Sequence, residues 1–213
     1  MVPSHSEFLS AIQSRNLRLS ESQVQAAAQF AVILHRENEQ QNLTRILGVE
    51  EFVDGHLLDA VELLKQPNLG QRVLDIGSGS GVPGLLAAAL DHGSQRIWFL
   101  TDSEAKKAEY LDRARLELGL RRVSVFPKRA ESVLDLSQAD TAIARAVGSV
   151  EKISGWIWNC STWNNLILFK SRGWEEEWKE ARLSKFGKKL TITHTHDYSD
   201  HSRTRLLVTL KRK

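Results

Sequence analysis

Gly77, Gly79 and Gly81 close a short apolar run, Val73-Leu74-Asp75-Ile76, and stand just before Pro83 and the stretch Leu85 to Leu90. A continuous apolar run of that length bounded by glycines reads as a buried parallel strand. Pro83 suits a first helical turn, and Leu-Leu-Ala-Ala-Ala-Leu is strongly helix-forming. Strand, glycine turn and helix in that order let backbone N–H groups approach a ligand closely, beside a helix N-terminus. This is a nucleotide-type binding corner.

Spacing narrows the ligand. A dinucleotide fingerprint needs a third glycine where this chain has Val82, and a phosphate-cradling loop needs a Gly-Lys-Ser/Thr ending that is absent. The pattern left is similar to that of S-adenosylmethionine-dependent methyltransferases, whose loop holds a ligand without phosphate. Their second signature is an acidic residue at the end of the next strand, bonding the ribose hydroxyls. Arg96-Ile97-Trp98-Phe99-Leu100-Thr101-Asp102 supplies it, about twenty residues beyond the glycines.

The elements that must hold this corner are legible from periodicity. Residues 1–70 read as an N-terminal helical segment packed on the domain that follows. Ser20 and Gln23 form a capping box for a helix from 21 to about 39, and a further helix runs from about 49 to 64. From 71 to 213 strand and helix alternate, which predicts a parallel sheet covered on both faces. Strands are expected near 72–76, 96–101, 123–127, 141–145 and 165–170. Helices are expected near 83–91, 104–118, 149–158 and 174–185. Residues 190–194 and 205–210 are separated by too short a loop for a helical crossover, so they should form an antiparallel hairpin at the sheet edge. The fold class is α/β: a Rossmann-like, mostly parallel seven-stranded sheet of the class I methyltransferase kind.

Composition sets few further limits. The 213 residues carry 29 basic and 26 acidic side chains, a net +3 that permits a nucleic-acid partner without arguing for one. Cys160 is the single cysteine, which excludes an internal disulfide and a cysteine-based zinc site. No run is long and apolar enough to span a membrane, and no signal pattern opens the chain, so a cytoplasmic protein is expected.

Four further segments carry a specific resemblance: Asn42-Leu43-Thr44-Arg45-Ile46, His56-Leu57-Leu58-Asp59, Gly81-Val82-Pro83-Gly84, and Arg129-Ala130-Glu131 with Ala144-Arg145-Ala146. In that order the chain resembles the bacterial 16S ribosomal RNA guanine-N7 methyltransferases, the glucose-inhibited division protein B (RsmG) family. The resemblance implies S-adenosyl-L-methionine as cofactor and 16S ribosomal RNA or the small ribosomal subunit as partner. It implies that Gly77, Gly79, Gly81 and Val82 form the cofactor loop. Ala130 and Glu131 would hold the adenine end, and Arg145 the methionine end or the incoming base; the family pattern supports Asp102. Arg145, Arg129, His56 and Asn42 are candidates for orienting the acceptor. For Asn42 and His56, a turn cap and a buried hydrogen bond are equally good readings. The chain departs from the family at His35-Arg36-Glu37-Asn38, Gly55, Ala105-Lys106-Lys107 and Lys170-Ser171, where tryptophan and lysine, arginine, Gly-Lys-Arg and Lys-Gly are usual.

Other chemistry reads more weakly. Trp156, Trp158, Trp163, Trp174 and Trp178 could stack bases, but packing between helix and sheet is the expected role. His194, His196 and His201 with Asp197 and Asp200 read as a polar hairpin loop rather than a metal site. Lys106, Lys107, Arg113, Arg121, Arg122, Lys128, Arg129 and Lys211-Arg212-Lys213 are the basic candidates for phosphate contact. Three alternatives stand beside the main reading. They are a small-molecule methyltransferase of the same fold, a non-catalytic RNA-binding paralogue that keeps the cofactor loop, and a nicotinamide oxidoreductase, which Val82 disfavours.

Overall fold

Apolar runs too short for helices become parallel strands: β1 (Arg72–Ile76), β2 (Ile97–Thr101), β3 (Val123–Phe126), β4 (Thr141–Arg145) and β5 (Asn165–Lys170). The computed structural model describes residues 5–46, 48–199 and 204–213. Strands β6 (Leu190–Ser199) and β7 (Thr204–Arg212) complete a seven-stranded sheet in the order β3-β2-β1-β4-β5-β7-β6. β7 runs against both of its neighbours. Strand order reverses between β1 and β4, which opens a crevice at their carboxyl ends.

Alternation along each strand divides the core in two. Val73, Trp98, Leu100 and Ile143 face a layer built from α1 (His5–Ser14), α2 (Glu21–Gln41), α3 (Val49–Phe52), α4 (Leu58–Leu64), α5 (Gly84–Leu90) and α6 (Ala105–Glu117). Leu74, Ile76, Phe99 and Ala144 face α7 (Leu134–Ser137), α8 (Val150–Ile157) and α9 (Trp174–Ala181). Phe8, Phe30, Val53 and Leu57 share one continuous core with the sheet. Ser20 caps α2 as expected: its Oγ accepts from Gln23 N, and Gln23 Oε1 accepts from Ser20 N.

Three departures from the sequence pattern have physical reasons. The helix expected over 49–64 is interrupted by a π-helical turn, Val53–Leu57. Such a bulge inserts one residue into the helix, a local change that the apolar spacing over 49–64 does not reveal. Gly55 sits in that turn against Ile46, whose Cδ1 lies 2.5 Å from where a Cβ would stand. The helix expected over 174–185 stops at Ala181, because Ser184 turns the chain by donating to the Ala181 carbonyl (2.7 Å) and accepting from Gly187 N. The edge strand expected over 190–194 runs on to Ser199, since its polar residues pair with β7 and reach back to α4.

Asp75 points from β1 toward α5, where its Oδ2 accepts from Gly84 N at 3.1 Å. A Cβ on Gly84 would stand 2.4 Å from that oxygen and 2.8 Å from Leu100 Cδ2. Gly84→Ala is therefore expected to destabilise the fold by about 1–3 kcal/mol, despite the better helix propensity of alanine. Urea unfolding checks this, and a variant as stable as its parent would show that α5 can shift away from β1.

Candidate cofactor and acceptor site

A cavity of about 740 Å³ opens at the carboxyl ends of the strands. Gly77, Gly79 and Gly81 all hold positive φ (66°, 51° and 84°), the conformation for which glycine is needed. Ser78 ties the turn to β2: its N donates to the Thr101 carbonyl (2.8 Å), and its Oγ accepts from Thr101 N. Asp102 completes the corner. Its Oδ2 accepts from Gly79 N and its Oδ1 from Glu104 N, both at 2.9 Å. Each oxygen keeps a lone pair for a further donor.

The cavity brings together Gly77, Gly79, Val82 and Asp102 with Ala130, Glu131, Arg129, Arg145 and His56. Ala130 and Glu131 open a short 3₁₀ turn after β3. Gly81 lies outside the lining, packed toward Leu85, Phe30 and Leu111, so its part is the shape of the loop. Asn42 also lies outside it, capping the C-terminus of α2 in the left-handed conformation (φ 51°, ψ 47°). That is the turn-capping role.

Three separated segments meet on the cavity wall. Thr44 Oγ1 lies 3.1 Å from His56 Nε2, and Arg145 NH1 lies 3.4 Å from His56 Nδ1. A guanidinium only donates, so Nδ1 accepts and the imidazole carries its proton on Nε2. Arg145 Nε pairs with Asp59 Oδ2 at 3.1 Å. Asp59 Oδ1 accepts from Tyr198 Oη (2.7 Å) and Arg205 NH1 (2.6 Å). Asp59, Tyr198 and Arg205 form a layer beneath the site that sequence reasoning missed; only the His-x-x-Asp spacing hinted at it. Ala146, next to Arg145 and lining the cavity, holds φ +58° without a polar side chain to ease it. Local strain of this kind collects at working sites.

Burial moves two titrating groups in opposite directions. Desolvation, then the charge of Arg145, pushes His56 down to about 3. Desolvation pushes the Asp75 carboxyl up to about 7. An unfolded histidine takes its proton near 6.5, so the stability His56 contributes is full above that pH and is lost as pH falls toward 3. Asp75 behaves in reverse: its contribution is full below 3.8 and is lost as pH rises through 7. Relative to the parent chain, His56→Gln should gain stability as pH falls from about 6.5 to 4.5, and Asp75→Asn as pH rises from about 4 to 7. Each change amounts to as much as about 1.4 kcal/mol per pH unit. Denaturant melts across that range check both, and parallel stability curves would refute the shifts.

The remaining expectations sort by place. Lys107, Lys128, Arg129 and Arg45 line the cavity. Arg113 is taken up by Glu37. Arg121 and Arg122 line a separate cavity beside the amino ends of β2 and β3. Arg212 stacks on Trp163 and donates to the carbonyls of Trp158 and Cys160. His196 pairs with Glu62 at 2.8 Å. Asp200 and His201 lie outside the described residues, and among those described no group of three His, Cys, Asp or Glu could hold a metal ion. No described helix is long and apolar enough to cross a membrane.

The glycine corner, Asp102 and the reversal of strand order define a Rossmann-like S-adenosylmethionine-dependent methyltransferase. Solved structures agree on the fold. The METTL16 methyltransferase domain has a TM-score of 0.57 at 12% identity, covering 98% of this chain and 92% of its own. M. capricolum TrmK, solved with S-adenosyl-homocysteine, has 0.55 at 13%, covering 72% and 67%. Sequence comparison is more specific. The family model for rRNA small subunit methyltransferase G matches residues 23–206. Ribosomal RNA small subunit methyltransferase G of Rhodopirellula baltica is 37% identical over 179 residues, 83% of this chain and 75% of that protein. The protein of the same name from Saccharophagus degradans is 31% identical over 186 residues, 86% and 79%. The chain belongs to the rRNA small subunit methyltransferase G family.

Proposed function

We propose that this chain transfers a methyl group from S-adenosyl-L-methionine to N7 of a guanine in 16S ribosomal RNA of the small subunit, in the cytoplasm. The observation that carries this reading is the meeting of Thr44, His56, Asp59 and Arg145 beside the glycine loop. Those residues come from the segments that set this family apart from methyltransferases at large.

The residues present fit the cofactor. A Cβ on Gly79 would meet nothing nearer than the Gly77 carbonyl at 3.8 Å, so a ligand can approach the loop backbone closely there. Asp102 has acceptor capacity left for the ribose hydroxyls, and Ala130 and Glu131 flank the place for adenine. When bound, S-adenosylmethionine supplies a methyl group on positively charged sulfur, which N7, with an in-plane lone pair and no proton, accepts without a general base. The protein's contribution is then alignment. Arg129, exposed at the cavity edge, and Arg145, held by Asp59, are placed to donate to guanine O6 or a neighbouring phosphate. Neutral His56 keeps Arg145 oriented without adding charge.

Labelled cofactor incubated with small subunits from cells lacking this protein, and separately with their deproteinised RNA, tests the reading. A single mapped 7-methylguanosine is expected. Bound cofactor with no transfer to either substrate would overturn it.

A further inference from the structure

Of the five tryptophans between 156 and 178, four are packed. Trp158 lies against Phe186, Trp163 beneath Arg212, and Trp174 stacks on Trp178. Trp156 stands apart. It is 37% exposed, lines the cavity, and has no ring or cation partner among the described residues. It sits on α8 one turn after Lys152, itself exposed and without an ion pair among the described residues. Gly148, in the loop after β4, lies under both: a Cβ there would stand 3.6 Å from Trp156 Cη2 and from Lys152 Cβ.

An indole more than a third exposed on a cavity rim forgoes part of the burial its ring area would otherwise gain. A free cation one helical turn away makes a pair: a flat face for an unstacked base and a charge for its phosphate. The cofactor carries no phosphate and has a net positive charge, and Lys152 is not among the residues lining its cavity, so the phosphates of an acceptor strand are the stronger attraction for Lys152. We propose that Trp156 stacks on an unpaired base of the acceptor RNA at the cavity mouth, while Lys152 meets a phosphate of the same strand. The proposal rests on the ribosomal RNA reading above.

Two measurements on the full chain test it. In methyl transfer to small subunits, Trp156→Ala should raise KM about 10- to 100-fold, and Trp156→Phe should recover most of the loss. In direct binding, affinity for a single-stranded oligoribonucleotide should fall similarly in Trp156→Ala, and Lys152→Gln should flatten the salt dependence by about 0.7 in log–log slope. The dissociation constant for S-adenosylhomocysteine should not change in any of the three. Unchanged KM and oligoribonucleotide affinity in Trp156→Ala would overturn the proposal. So would S-adenosylhomocysteine affinity falling in step with KM, which would put the ring on the cofactor's adenine. A parent chain that methylates no subunit would sink the ribosomal reading, and the oligoribonucleotide affinities would then still decide the role of Trp156.

Discussion

Asp102→Ala is expected to weaken S-adenosylhomocysteine binding by about 1.5–3 kcal/mol, on the order of 10- to 150-fold in dissociation constant. Two effects act together. The proposed charge-assisted hydrogen bonds to the ribose hydroxyls would disappear, and the N–H groups of Gly79 and Glu104 would lose their acceptor. Gly79 N belongs to the positive-φ turn that shapes the cradle, so the variant also loosens the loop. Asp102→Asn separates the two. Its single carbonyl oxygen can keep one backbone bond but not both, and it no longer carries the charge that strengthens the ribose contact. Its affinity should fall between those of parent and alanine variant. Calorimetric titration reads all three, and equal affinities would remove Asp102 from the cofactor site.

The geometry of the glycine corner was legible because it is local. Three glycines, a strand on either side and an acid one helix further on are fixed by spacing, and the structure sets Gly77, Gly79 and Asp102 around one cavity. Strand boundaries were legible for a related reason: buried parallel strands are apolar throughout, and glycines and polar turns punctuate them. What lies beneath Arg145 was not legible. Asp59 meets Tyr198 and Arg205 from strands β6 and β7, 139 and 146 residues away in sequence. Reaching them requires β6 to run five residues past its apolar part, on the strength of polar contacts with α4 that no local pattern encodes. Trp156 escaped for a different reason. Five tryptophans in one region read alike, and which of them packs depends on how α8 docks, a tertiary fact.

Asp59→Ala should be the more damaging change to the fold, at about 3–5 kcal/mol, because it strips a buried carboxylate from two guanidinium groups at once. Asp59 is 2% exposed and is the acceptor for Arg145, Arg205 and the Tyr198 hydroxyl together. Without it the two arginines face each other across an uncompensated gap, and Tyr198 keeps a proton with no acceptor. Arg145→Ala removes one donor and leaves Asp59 paired with Arg205 and Tyr198, so its loss of stability should be smaller. Its loss of methyl transfer should be as large, since the guanidinium at the cavity wall is gone. The ion pair with buried Asp59 gives Arg145 a share in folding as well as in acceptor alignment. Urea unfolding of both variants, with methyl transfer and S-adenosylhomocysteine titration on the folded fraction, distinguishes the roles. The expected result is retained cofactor affinity in both, loss of transfer in both, and the larger fall in stability for Asp59→Ala. If Asp59→Ala instead folded as stably as Arg145→Ala, the carboxylate would not be what holds the two arginines. Full transfer by Arg145→Ala would remove the guanidinium from acceptor alignment and leave Thr44, His56 and Asp59 as a purely structural join between the N-terminal helices and the sheet.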